Sequence, residues 1–312
     1  MTSRPLARRG LLALALALIA LPAGAGPPDR LRVVATIPDL GTLAEEIGGE
    51  HVQVRSLSKG TENLHSVHVR PSMLIALSKA ELFLQMGLSM EAAWLPELMI
   101  KAKNRRIQPG EPGFQNCSVG WEAIGVPKVL SRKEGDVHPE GNPHFNLDPA
   151  GGPHLAAKVH GALVRVDPAN REAYDRNYEA WKKRLAEYQK RWKPIAEALA
   201  DEKVVVYHTE YDYLARRLGM EVTASIEPKP GIPPSPGDVA RVVKKMKADG
   251  VKVILTAAWS NNRQIADIAR KTGARVVELP NQVNGASWAT DWISLMDGLH
   301  GRLAEAFELE LN

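Results

Sequence analysis

The stretch from Asp167 to Ala200 contains no glycine and repeats aromatic and apolar side chains at helical spacing. Tyr174, Tyr178, Trp181, Leu185, Tyr188 and Trp192 recur every three or four residues, which lines them along one face of a long helix. Asp167 suits the N-cap and Pro168 the first helical position. Pro194 is expected to kink or break the helix near its end. About thirty helical residues would extend roughly 45 Å. Such a helix is either a surface element with charged solvent faces or a rigid rod between two bodies. The flanking pattern favours the rod, because alternating strands and helices stop before it and restart after it.

Before it, Leu31–Ile37 and Val52–Leu57 are β-branched apolar runs that predict buried strands, and Leu82–Met86 predicts a third. Leu40–Ile47 and Pro71–Ala80 have helical spacing, the first stopped by Gly48-Gly49. After it, Lys203–Tyr207, Glu221–Ile226, Val251–Leu255 and Arg275–Leu279 predict strands. Tyr211–Leu218, Val239–Ala248, Gln264–Lys271 and a last segment from about Ala289 to Leu309 predict helices, and Pro228–Pro236 predicts a loop. The alternation implies α/β lobes with mostly parallel sheets. The expected division is a leader over 1–25, an N-terminal α/β lobe over 26–166, the interdomain helix over 167–200 and a C-terminal α/β lobe over 201–312. The two halves are alike in type, not in sequence.

The leader accounts for most of the charge. The chain carries 40 Lys and Arg against 36 Asp and Glu, and Arg4, Arg8 and Arg9 lie in an opening segment without acids. They precede the apolar run Leu11–Leu21 and the small-residue site Ala23-Gly24-Ala25, the layout of a secretory signal peptide. Cleavage near Ala25 is expected to release a nearly neutral, soluble, periplasmic chain without a lipid anchor. Arg8-Arg9 leaves Sec and Tat export both open. A near-neutral mature chain offers no basic surface for nucleic acid. The single cysteine, Cys117, excludes an internal disulfide and a Cys-only zinc site.

The chemistry rests with histidine. Of 9 histidines, three fall at telling places. His65 lies in the loop between the second strand and the Pro71 helix. His144 lies in the turn-rich Gly141-Asn142-Pro143-His144-Phe145-Asn146-Leu147-Asp148-Pro149, and His208 follows the strand Val204–Tyr207. Ligands collect beyond the carboxyl ends of strands in open α/β sheets. Imidazole suits zinc, copper, iron and nickel, and three imidazoles with one oxygen would complete a tetrahedral zinc site. Spacing alone matches no local zinc signature.

Several segments carry a family likeness. Thr36-Ile37-Pro38-Asp39-Leu40, His65-Ser66-Val67-His68-Val69-Arg70-Pro71-Ser72, Gly87-Leu88-Ser89-Met90-Glu91 with Trp94-Leu95, His138-Pro139-Glu140 running into Gly141–Pro149, and Tyr207-His208-Thr209-Glu210-Tyr211-Asp212-Tyr213 occur in order. In these the chain resembles the periplasmic solute-binding proteins of zinc and manganese ABC importers, the ZnuA/TroA-type (cluster A-I) family, over essentially its whole mature length. The resemblance implies two α/β lobes joined by one rigid backbone helix. It implies metal ligands at His65, His144 and His208, with Zn2+ ahead of Mn2+. It implies a monomer that delivers its ion to an ABC-transporter permease, with a periplasmic metallochaperone as a further candidate partner, and no catalysis. Asn63-Leu64 departs from the family's Asp-Pro before the first ligand. No Asp stands in Glu278-Leu279-Pro280-Asn281, where the family often places a fourth ligand, which leaves Glu278, Glu227, His138 or water. The long His-rich loop of many zinc members is missing.

His68, His154 and His160 are expected at the surface, Arg70 is a candidate partner for acids around the cleft, and Glu210 is expected to be solvated. Two other function classes fit parts of this pattern. A three-His zinc site with bound water also describes a zinc-dependent hydrolase, but the chain has no H-E-x-x-H, G-x-S-x-G or paired-carboxylate motif. An adhesin-like interaction protein would use Trp259, Trp288 and Trp292 as a docking surface, although core packing suits most of them better.

Overall fold

The computed structural model describes residues 30–127, 138–229, 231–260 and 262–310. The leader and its cleavage site lie outside them. The N-terminal half contains β1 (Leu31–Ala35), α1 (Pro38–Gly48), β2 (Val52–Ser56), α2 (Pro71–Lys79), β3 (Leu82–Gln85), α3 (Leu95–Ala102), β4 (Phe114–Asn116) and α4 (Gly151–Val166). The long helix α5 covers Arg171–Leu199. The C-terminal half contains β5 (Lys203–Val206), α6 (Asp212–Arg217), β6 (Glu221–Ser225), α7 (Pro236–Asp249), β7 (Val253–Thr256), α8 (Asn262–Thr272), β8 (Arg275–Glu278) and α9 (Trp292–Ala306).

Each half folds around a four-stranded parallel sheet, ordered β2-β1-β3-β4 in one and β6-β5-β7-β8 in the other. The central strands are apolar on both faces where helices cover both sides, hence the buried runs Val33–Ala35 and Val204–Val206. In each sheet the chain starts on an inner strand, moves to one edge, then crosses to the other side. That reversal opens a crevice at the carboxyl ends of β1 and β3, and another at those of β5 and β7.

The packing joins the halves. One buried cluster takes in the inward faces of both sheets together with α1, α4, α5 and α9, including Leu43, Leu163, Trp181, Trp192, Val206, Trp292 and Leu299. Two smaller clusters cover the outer faces, one beneath α2 and α3 and one beneath α7 and α8. Tyr174, Trp181, Leu185 and Trp192 are buried along α5, while its opposite face is charged. Asp167 precedes a 3-10 turn at Pro168–Asn170, from which α5 continues. Pro194 does not break the helix: α5 runs through it to Leu199, with Ile195 and Leu199 buried on either side of the next turn. Tertiary burial there outweighs the hydrogen bond that the ring removes.

Helix α4 escaped sequence reading because it begins Gly151-Gly152-Pro153 and contains Gly161, all breaker signals. Its first turn has a packing reason: a Cβ on Gly152 would lie 2.3 Å from the Trp292 ring of α9. The glycine lets the two helices meet. Short α3 and β4 also went unread.

Candidate metal centre

His65 and His144 are set by the same local device. The Asn63 side-chain oxygen accepts from the His65 N–H at 2.9 Å, and that of Asn142 accepts from the His144 N–H at 2.9 Å. In both loops an asparagine two residues ahead folds the backbone back on itself. Asn63 thus supplies the turn where Asp-Pro would otherwise stand. The Trp94 indole donates to the Leu64 carbonyl at 3.0 Å, which pins the first loop to the N lobe. The Asn142 amide donates to the Thr209 carbonyl at 2.8 Å, which ties the second loop to the segment after His208. Tyr213 donates to the Asn142 carbonyl at 2.8 Å. His208 itself leaves the carboxyl end of β5, the inner strand beside the crevice.

The three loops bring His65, His144 and His208 together, with one ring nitrogen from each within 4.8 Å of the others. The Nε2 atoms of His65 and His144 are 3.0 Å apart. Two nitrogens on one tetrahedral zinc would be roughly 3.4 Å apart. His144 and His208 are buried and His65 is partly enclosed. The Nδ1 atoms of His65 and His144 and Nε2 of His208 meet no hydrogen-bond partner. His208 Nδ1 is 3.0 Å from Glu227 Oε2, a carboxylate–imidazole pair that orients a ring for ligation and leaves Nε2 toward the cluster.

Burial, with repulsion from the neighbouring imidazoles, pushes His65 and His144 well below the usual imidazole range. Burial also pushes His208 down, but the hydrogen bond its ring donates to Glu227 and the charges of Glu210, Glu227 and Asp212 outweigh it and carry the ring up. A cavity of about 410 Å³ lined by His65, Ser89, Met90, His138 and Pro139 adjoins one side of the cluster. Another of about 280 Å³, lined by Asn63, Ser66, His208, Glu227, Gly231 and Trp259, adjoins the other.

The candidates for a fourth position separate. Glu227 is engaged behind His208. Glu278 is exposed at the end of β8, outside the cluster. The His138 ring is centred 4.8 Å from that of His65, beside the trio but not part of it. His68 is exposed, as expected. His154 and His160 are not free surface residues: His154 Nε2 lies 2.8 Å from the Cys117 carbonyl, and His160 Nε2 lies 2.7 Å from Asp175 Oδ1 with its ring stacked on Tyr178. Arg70 pairs with Glu62 at 2.7 Å and also donates to the Leu57 carbonyl. Glu210 is the plainest misreading, since its side chain is 0% exposed. The 3-10 turn Thr209–Tyr211 folds it inward, which a position two residues past a strand did not suggest. Trp292 is buried, and Trp288 and Trp259 pack against core clusters, so the three form no docking face.

The model of the family ZnuA, zinc-uptake complex component A periplasmic, matches residues 33–306. The chain belongs to the ZnuA/TroA-type family of periplasmic metal-binding proteins. Among relatives of this family, the chain is 23% identical over 263 residues to the high-affinity zinc uptake system protein ZnuA of Bacillus subtilis (strain 168), covering 83% of this chain and 80% of that protein. It is 20% identical over 250 residues to the iron ABC transporter substrate-binding lipoprotein MtsA of Streptococcus pyogenes serotype M1, covering 78% and 77%. A crystal structure of ZnuA superposes with a TM-score of 0.73 at 24% identity, covering 89% of this chain and 99% of that one. The manganese-bound periplasmic metal-binding protein of candidatus liberibacter asiaticus superposes with a TM-score of 0.73 at 19% identity, covering 88% and 98%. These neighbours share the family's two-lobed fold with its helical backbone. Like the family, the chain is a solute-binding protein that serves the permease of a metal ABC transporter, and it is not an enzyme. Among the described residues no helix is long and apolar enough to cross a membrane.

Proposed function

We propose that the chain captures one zinc ion through His65, His144 and His208 and passes it to its permease. The observation that carries this reading is the convergence of three ring nitrogens, from loops remote in sequence, within 4.8 Å of one another. Imidazole is a borderline ligand that suits zinc, whereas manganese prefers more oxygen donors. Two of the three rings are held neutral by burial, the form that binds a metal. Water fills the fourth position in this reading, reached from the His138 side. The zinc named for the Bacillus subtilis relative agrees with the donor set. The lobes remain those of the sequence reading, with α5 as the rod between them.

Calorimetric titration of the full chain near neutral pH is expected to give one zinc per molecule, with manganese displaced in competition. His144→Ala is expected to lower zinc affinity by a factor of a hundred or more, as loss of a ligand should. No zinc uptake by the wild type would remove the reading, and unchanged affinity in the variant would remove the His144 assignment.

A further inference from the structure

Glu210 stands two residues beyond His208 and is fully enclosed. Neither of its carboxylate oxygens accepts a hydrogen bond from another residue. Asp212, on the next turn, has an unpartnered buried Oδ1, and Glu227 faces the rear of His208. The wall of the site formed by the C lobe therefore sets carboxyl groups around a single histidine. The opposite wall presents the imidazoles of His65, His138 and His144. A buried carboxylate without a partner is costly to a fold. Among the described residues no side chain donates a hydrogen bond to repay that cost.

A dication would repay it. Three neutral imidazoles bring no charge to a doubly positive ion, and such an ion in a buried site needs balancing negative charge nearby. Glu227 provides one unit through the ring of His208. We infer that Glu210 provides another: it is a positioning residue that holds the cation by its field, across His208, without coordinating it. This rests on the reading that His65, His144 and His208 hold a dication.

A field acts on the ion's charge and not on its donor preference, so Glu210→Gln is expected to weaken Zn2+, Co2+ and Cd2+ by similar factors, about ten- to a hundredfold. The visible spectrum of the Co2+ form should keep its band positions, because the coordinating atoms are unchanged. The metal-free variant should melt at the wild-type temperature or above it, since an uncompensated buried acid is gone. Glu210→Asp, which keeps the charge, should recover most of the affinity. Unchanged affinities in Glu210→Gln would overturn the inference. So would shifted Co2+ bands, which would make Glu210 a ligand, or a lower melting temperature of the metal-free variant, which would make it structural. A wild type that takes up none of the three ions would instead sink the metal reading itself, and this inference with it.

Discussion

Glu227 decides which nitrogen His208 can offer. Its carboxylate is 3.0 Å from Nδ1 and 7% exposed at residue level, so it fixes the ring and its tautomer. Glu227→Gln is expected to weaken zinc about ten- to a hundredfold, read by competition with a chromophoric chelator. The sign of the pH effect follows from the same pair. A ring must lose its proton before it can bind. His208 holds its proton to a higher pH than an ordinary imidazole, while His65 and His144 shed theirs at lower pH. Zinc affinity should therefore begin to fall from above pH ~6.5 as acid is added, with His208 the first ring to protonate. Titrations across pH 5–8 check this, and an affinity level down to pH 5 would contradict it. Gly60 is a third residue-scale case. A Cβ there would lie 2.1 Å from the Asn284 backbone, where the first histidine's loop meets a loop of the C lobe. Gly60→Ala must push the two loops apart, at a cost of about 1–3 kcal/mol in unfolding free energy.

At the scale of elements, α5 carries a conflict between local preference and packing. Pro194 sits on its exposed face, inside a continuous helix. A proline in a helix interior costs about 3 kcal/mol, and the surrounding structure absorbs it. Pro194→Ala is expected to raise stability by about 1–3 kcal/mol, measured by denaturant unfolding. Trp181 is the converse. It is buried between the lobes with its ring 6.2 Å from that of Trp292. Trp181→Ala should lose about 3–5 kcal/mol. If Trp181→Ala unfolded like the wild type, α5 could not be the spine of the shared core.

For the molecule as a whole, the contacts between lobes are polar as well as apolar. Trp292 of α9 donates to the Asn146 carbonyl at 2.7 Å, Arg217 grips Asp148 at 2.9 and 3.0 Å, and Gln282 donates to the Glu62 carbonyl at 2.9 Å. Buried Asp39 accepts from the Asn146 amide and the Val283 N–H, each at 3.0 Å. These ties and α5 together oppose a wide hinge. X-ray scattering should find nearly the same radius of gyration with and without zinc, and a large change would mean the ties break. Asp39 also predicts a pH term. Burial pushes it up to about 6 from 3.8, so the folded state holds its proton more tightly than the unfolded chain. Its contribution is greatest below pH 3.8 and is lost as pH rises through about 6. Relative to Asp39→Asn, the wild type should lose on the order of 3 kcal/mol between pH 4 and 7.

The sequence by itself determined the elements with strong periodicity: the Val-rich inner strands and the aromatic stripe of α5. These are legible because burial imposes a repeat on neighbouring residues. Helix α4 was hidden because its glycines answer to Trp292, a residue from the far end of the chain. The enclosure of Glu210, the pairing of Glu227 with His208 and the bridge at Asp39 were hidden for the same reason. Whether a carboxylate lies in water or in a core is set by what folds over it. Only the tertiary structure, which brings distant segments to one crevice, could decide that.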